Sequence, residues 1–404
     1  MDNGTLKYTL DKEDSKVLDN GVTVYRICYE PDFCRSHPFG FRLRFRDNAD
    51  SEQTEEIDMG LCKGGWLESE ANLSQEGGGK VLDEACVYGE AKVSEDAIVA
   101  GWSTVSGSAK ISGNARVRGH AEVSGGSIVT ETARVSGCAK VSGNSEISGR
   151  AYIADEANVR DAVIGCRAVI ADNAEVCEAI VTDSARVKEY ACVSGNALVS
   201  QDACVSGHAV VYGEAKISGY AKVREYARVC DHARVTGKAE IFGTGARVSG
   251  KSALVSDEAQ VYGKARITDS RVRGQAQVYD EANVEVGSVI ADKARVYGFA
   301  SVIERSCVFG SAEVYDRALL KSCDVLGDAE AGDEVCLSGG RYDSGVITES
   351  CDDPRKNRRS RFLGGRSPRY DDGDENVSVA ESGSQAEGDP EPQAAETPES
   401  DAQD

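Results

Sequence analysis

Aliphatic residues mark this chain at every sixth position. From residue 87 they recur at 93, 99, 105, 111, 117, 123, 129, 135, 141, 147, 153 and 159, always as Val or Ile, and a second unbroken run covers 181 to 241. A small residue, usually Ala, stands two positions before most of them, and the unit averages to Val-Ser-Gly-Asn-Ala-Arg. Ala and Val flank one residue, so in a short strand both point to one side and the residue between them points away. Ser-Gly-Asn then supplies a turn in which Gly or Asn can take positive φ. A period of six fits neither the ~3.6 of a helix nor the ~2 of plain alternation. It predicts a short strand and a corner, repeated, with three units closing a triangular coil of about 18 residues.

The spacing of aromatic residues tests that coil independently. Tyr279, Tyr297 and Tyr315 lie 18 apart. Tyr262 lies 17 before Tyr279, where the chain loses one residue between Ile267 and Val272. Phe242 lies 20 before Tyr262, where the chain gains two between Ile241 and Val255. With those slips removed, the five rings are predicted to share one corner of five successive coils. Residues 81 to 326 then make roughly 14 coils, and at ~4.8 Å per paired strand the rod is on the order of 65 Å long. Only its two ends expose strand edges, and those need caps.

Composition fits a thin aliphatic core. The chain has 404 residues with 43 Gly, 7 Pro, 2 Met and 6% aromatic residues, which is poor material for an aromatic-rich core. No Pro falls between residues 39 and 353, the span in which every backbone N–H can be needed for a ladder. The net charge of -22 argues against nonspecific nucleic-acid binding by the whole chain. No apolar run approaches the ~18 residues of a membrane helix. The polar start MDNGTLKYTLDKEDSK has no secretory pattern, and the 14 Cys include no Cys-x-x-Cys. A cytoplasmic protein with reduced thiols is the expectation.

The two ends differ from the repeat. Residues 1–80 read as a small β cap: Tyr8-Thr9-Leu10, Lys16-Val17-Leu18, the turn Asp19-Asn20-Gly21 and Val22-Thr23-Val24-Tyr25 suit a hairpin, and Phe41-Arg42-Leu43-Arg44-Phe45 alternates as a further strand. Trp66 suits the seam against the first coil. Residues 81–340 carry the repeat. Residues 341–404 are expected to form a disordered tail, with seven basic residues and no acid in 355–369 and twelve acids and no base in 371–404. The basic block either contacts a partner or pairs loosely with the acidic stretch.

The unit Val-x-x-x-Ala-x resembles the hexapeptide repeat of left-handed β-helix (LpxA-like) proteins over about 245 residues. The lead-in Gly64-Gly65-Trp66-Leu67-Glu68-Ser69-Glu70-Ala71-Asn72-Leu73-Ser74-Gln75, running into Val81-Leu82-Asp83-Glu84-Ala85, is similar to that of bacterial YdcK-like proteins. The resemblance implies an all-β, left-handed β-helix and a trimer. Proteins of this kind are often labelled acyltransferases, a label that rests on fold analogy.

That label directs attention to histidine, since hexapeptide acyltransferases commonly use a His general base beside an acyl-CoA site between subunits. Of four His, His37 lies in the cap, and His120, His208 and His232 each precede a repeat Ala at a solvent-facing corner. Tyr190 and Tyr226 lie 18 residues either side of His208, and Trp102 lies 18 before His120, so stacking is expected at both. His208 is the best catalytic candidate if there is one. No inserted loop interrupts the coil to wall a site, and no helical segment follows it to cover acyl-CoA. The histidine spacing also lacks the three-His constellation of a carbonic-anhydrase-type metal site. Cys28, Cys34, His37 and Cys62 have non-standard spacing for zinc.

One surface feature suggests association. The outward residue is polar in most coils but apolar or Cys at Val163, Val169, Ile180, Cys192, Leu198, Cys204 and Val210, a candidate interface. Beyond it, Lys216, Lys222, Arg228 and Arg234 rotate around three faces as a basic collar. The sequence thus points to a rigid structural or interaction scaffold, cytoplasmic and homo-oligomeric, with no cofactor or metal and the tail open to a protein partner. The alternative is an acyl-CoA-dependent acyltransferase with its site between subunits. A filament needs uncapped ends.

Overall fold

The computed structural model describes residues 6–36 and 63–348, all within one compact unit. The first elements are β1 (Tyr8–Val17) and β2 (Thr23–Tyr29), an antiparallel hairpin with an irregularity between Asp11 and Ser15. A short helix, α1 (Pro31–Ser36), follows. Strand β3 (Lys63–Leu67) pairs antiparallel with β2 on one side and parallel with Cys86–Val87 on the other. β3 therefore belongs to the hairpin sheet and to the first coil at once.

From there the chain winds as a parallel β-solenoid of about 16 coils, with about 18 residues per turn. Its strands are two or three residues long and stack into three parallel ladders, here called faces A, B and C in chain order. Face A runs through Val87, Val105, Val123 and Val141, face B through Val93, Ile111, Val129 and Ile147, and face C through Val81, Val99, Val117 and Val135. The pairing is residue for residue, as the strict period requires. In most coil strands the outward residue donates its N–H to the carbonyl of the Ala one coil on, for example Lys92 to Ala109 at 2.8 Å and Arg116 to Ala133 at 2.9 Å. In several a Ser takes the place of that Ala, as when Lys110 donates to Ser127. The inward Val or Ile and the Ala two positions earlier are fully buried through the length of the coil. Two columns of small aliphatic side chains per face fill the triangle, so an aromatic-poor sequence still closes a dry core.

Each slip in the six-residue period is a corner event. The corner between faces A and B loses a residue at Asp161, Glu178, Asp269 and Ser322, where φ is 50, 53, 48 and 49°. The two extra residues after Ile241 divide between the C–A corner, at Gly243 (φ 109°), and the A–B corner, at Gly250 (φ 103°). The faces stay in register because the inserted or missing residue never enters a strand.

The sequence placed the ends of the coil too narrowly. Trp66–Leu67 occupies face A one coil before Val87, and Leu73 bridges to Val93 on face B, so the solenoid starts inside the expected cap. The period is hidden there by the 3-10 turn Glu70–Asn72 and by Gly64 and Gly65, whose missing Cβ atoms would meet Val81 O at 2.8 Å and Ala85 O at 2.6 Å. At the other end Arg341–Tyr342 and Val346–Ile347 still pair with Asp324–Val325 and Glu330–Ala331, so the coil passes the expected boundary at 340. Tyr342 and Ile347 replace the usual Val, and the spacing shortens, which blurs the repeat. The expected strand 41–45 and the basic and acidic stretches lie outside the described residues.

Corner chemistry also differs from expectation. Gly supplies positive φ at many corners, but the next commonest residues are Asp and Glu, while Asn does so only at Asn196 among the described residues. A carboxylate at this position reaches one coil along the rod and accepts a backbone N–H. Asp83 accepts from Gly101 at 2.8 Å, Glu95 from Gly113 at 2.6 Å, Asp183 from Gln201 at 2.9 Å, Glu189 from Gly207 at 2.7 Å, Asp257 from Gly274 at 2.8 Å and Asp292 from Gly310 at 3.0 Å. Much of the acidity of the repeat is therefore structural: these charges tie successive corners together.

Candidate functional site

The C–A edge of the prism collects the stacked aromatic residues. Phe242, Tyr262, Tyr279, Tyr297 and Tyr315 form one column with ring centroids 4.9, 4.9, 4.9 and 5.4 Å apart, as the corrected spacing predicted. The Arg224 guanidinium closes one end, 4.5 Å above the Phe242 ring. At the other end the Tyr315 ring lies over Gly332, where a Cβ would collide with it. Tyr297 donates to Glu313 Oε2 at 3.0 Å. Burial and that carboxylate push its phenol well above the ordinary range.

The same edge holds two of the histidines. His120 stacks on Trp102 at 5.2 Å, and His208 lies between Tyr190 and Tyr226 at 4.9 and 4.8 Å, with interplanar angles of 7° on both sides. His232 sits on the A–B edge, with Nε2 3.2 Å from Glu214 Oε2. His120 and His208 are five coils apart, ~24 Å at ~4.8 Å per coil. The fold does not bring the three histidines together. The best catalytic candidate, His208, is an exposed rung of a ladder. His37 and Cys62 lie outside the described residues; Cys28 is on β2 and Cys34 on α1.

Beside the tyrosine column, face C carries a groove that sequence reasoning missed. Its floor is the outward column Lys222, Glu240, Gln260, Gln277 and Arg295, and its rim is the preceding corner column Tyr220, Lys238, Glu258, Gln275 and Lys293. The groove is open, lengthwise and about 760 Å³. Ion pairs and amides link its rungs: Lys222 to Glu240 at 2.9 Å, Arg224 to Glu240 at 2.6 Å, Lys238 to Glu258 at 3.1 Å and Gln277 to Gln260 at 3.2 Å. Partial burial works against the Glu240 carboxylate, but Lys222 and Arg224 outweigh it and hold the group below the usual carboxylate range. The signal for this groove was present as two polar columns at coil spacing, obscured by the inserted residues at 243 and 250.

The outward apolar residues separate onto three faces. Val163, Ile180 and Leu198 are successive rungs of face B. Val169 adjoins Tyr152 on face C, and Val210 adjoins Cys192 on face A. The collar residues rotate as expected, Lys216 on B, Lys222 on C, Arg228 on A and Arg234 on B. At the seam, Trp66 lies under Arg26 (3.7 Å) and Lys16 (4.4 Å), and its Nε1 donates to Glu84 at 2.8 Å.

A parallel β-solenoid with aromatic corner ladders is thus the class to which the structure assigns the chain. Residues 259–275, one turn that runs through Tyr262 and the groove, match the family model described as the YdcK β-solenoid repeat. That match and the coil together support a likeness to YdcK-like β-helix proteins. No curated protein matches the chain. Among the described residues no helix is long and apolar enough to cross a membrane, and no group of three or more His, Cys, Asp or Glu could hold a metal ion.

Proposed function

We propose that the protein is a rigid structural and interaction scaffold that associates with copies of itself, in the cytoplasm, and offers its faces and its C-terminal tail to partners. The observation that carries this reading is the use made of the chemistry-bearing side chains. His120 and His208 are stacked in ladders, His232 is paired to Glu214, and the corner carboxylates are tied to backbone N–H groups of the next coil. Such residues stiffen the rod along its whole length. A general base, by contrast, needs a group that orients it and a wall that keeps water out. His208 has flat aromatic neighbours above and below and solvent at its edge.

The test is acyl-CoA binding and thiol release measured across amine and hydroxyl acceptors, with parent and His208→Ala protein. The scaffold reading expects no turnover that depends on His208. A general base contributes on the order of 100- to 10,000-fold. Turnover in the parent that collapses in a folded His208→Ala variant would replace the scaffold with an acyltransferase.

A further inference from the structure

The five central rungs of face B, Glu146 to Lys216, have an apolar and charge pattern that is complementary about one residue, Ile180, while the flanking Ile128 and Arg234 do not match. The outward column of the face reads Ile128, Glu146, Val163, Ile180, Leu198, Lys216, Arg234, each paired to the next in the ladder. Ile180 and Val163 are 42% and 41% exposed, the centre of an apolar stripe. Glu146 and Lys216 stand two rungs either side of Ile180. Both are exposed, and neither has an ion-pair partner among the described residues.

The surface beside the stripe is hollowed. The short corners at Asp161 and Glu178 leave a depression of about 330 Å³ lined by Val163, Ile180 and Asn196. On the other side Gly165 takes the corner position held by Ser148 and Thr182 in adjacent coils. A Cβ there would make only ordinary contacts of 3.7 Å with those hydroxyls, and its φ is not positive. Backbone geometry does not require this glycine; it leaves a notch beside the apolar stripe.

We infer that face B is the self-association surface and that two copies pack on it antiparallel, about a two-fold axis lying across the rod at the level of Ile180. This rests on the reading of the protein as a self-associating scaffold. The operation sets Ile180 on its own copy and Val163 on Leu198. It also places Glu146 against Lys216 twice. A parallel two-fold pairing of the same face would instead set Glu146 on Glu146 and Lys216 on Lys216, which costs affinity. The antiparallel arrangement does bring Glu178 near its copy, at an exposed corner where salt screens the repulsion. Seven rungs of ~4.8 Å across a face ~20 Å wide cover roughly 650 Å² per partner. That is on the order of 1,300 Å² in total, within the range of stable interfaces.

Sedimentation velocity over micromolar concentrations tests the geometry, with circular dichroism on every variant. The parent should be a dimer. Glu146→Lys and Lys216→Glu should each weaken it by about tenfold or more, since each creates two like-charge meetings. The double swap should return affinity to within about threefold of the parent, as opposite charges face again. Ile180→Asp should be a folded monomer. A parent that stays monomeric overturns both this geometry and the self-associating scaffold. A parent that associates, but whose double swap is no tighter than the single variants, overturns the antiparallel pairing alone.

Discussion

Asp257 tests whether the corner acids hold the solenoid together or merely decorate it. Its backbone is left-handed, at φ 62°, and its carboxylate accepts the Gly274 N–H of the next coil at 2.8 Å. Replacing it with Ala removes the bond, worth about 1 kcal/mol net, and keeps the left-handed strain of about 1 kcal/mol that Asp257 already bears. The loss is therefore about 1 kcal/mol. Gly loses the same bond but regains a comparable amount from relieved strain, so Asp257→Gly should fall within about 0.5 kcal/mol of the parent. Asp257→Asn keeps an acceptor oxygen and should stay close to the parent as well. Because each coil touches only its neighbours, global melting can blur a local effect. Hydrogen exchange of the peptide containing Gly274 reads it directly. A loss of about 1 kcal/mol corresponds to roughly fivefold faster exchange through local opening. Equal shifts for Ala and Gly would refute the argument from strain, and no shift for Ala would refute the bond.

Tyr279 sits at the centre of the five-ring column, with rings on both sides. Tyr279→Ala should cost about 2–3 kcal/mol from two stacking contacts and lost apolar area, and Tyr279→Phe less than about 0.5 kcal/mol, both read by denaturant unfolding. Lys7 is lowered from its ordinary value to about 8, chiefly by burial and secondarily by Lys80. A lowered lysine destabilises the fold fully below its folded value. The penalty fades as pH rises toward the unfolded value, because the unfolded chain then binds more protons than the native one. The stability of the parent relative to Lys7→Met should therefore improve between about pH 8 and 10.5, by at most about 3 kcal/mol and less with solvent screening. A gap that is flat across that window would contradict the burial.

The ladder and the faces were legible because identical spacing in sequence becomes identical height on a face. Phe242 and the four tyrosines could be aligned once two slips were located, and Trp102 with His120 followed from the same arithmetic. The corner acids were less visible. Asp and Glu are normally read as surface charge, and nothing in a single unit shows that the carboxylate meets a backbone N–H one turn away. The interface candidates show the opposite difficulty. Val163, Val169, Ile180, Leu198 and Val210 look like one run in sequence, but a three-sided coil sends neighbouring units to different faces. Only residues one coil apart, such as Val163, Ile180 and Leu198, become neighbours.

The N-terminal hairpin completes the argument from edges. A parallel solenoid that starts abruptly presents a row of free N–H and C=O groups, a template for another molecule. Here side chains of the cap meet that row. The Tyr29 hydroxyl accepts the Val81 N–H at 2.8 Å and lies 3.1 Å from the Val81 carbonyl. The Tyr8 hydroxyl is 2.7 Å from the Leu73 carbonyl, and the Lys7 ammonium donates to the Ser74 carbonyl at 2.8 Å. Tyr8, Ile27 and Tyr29 continue the aliphatic core beyond Leu67 and the first coil. Tyr29→Phe leaves the buried Val81 groups without a partner and should destabilise the cap by about 1–3 kcal/mol. Deleting residues 1–36 removes these contacts to the edge, and the shortened rods should then associate end to end. Light scattering would show particles that grow with concentration, and electron microscopy would show them one rod wide. Shortened protein that keeps the particle size of the parent at high concentration would mean that the first coil protects its own edge and that the hairpin is not its cap.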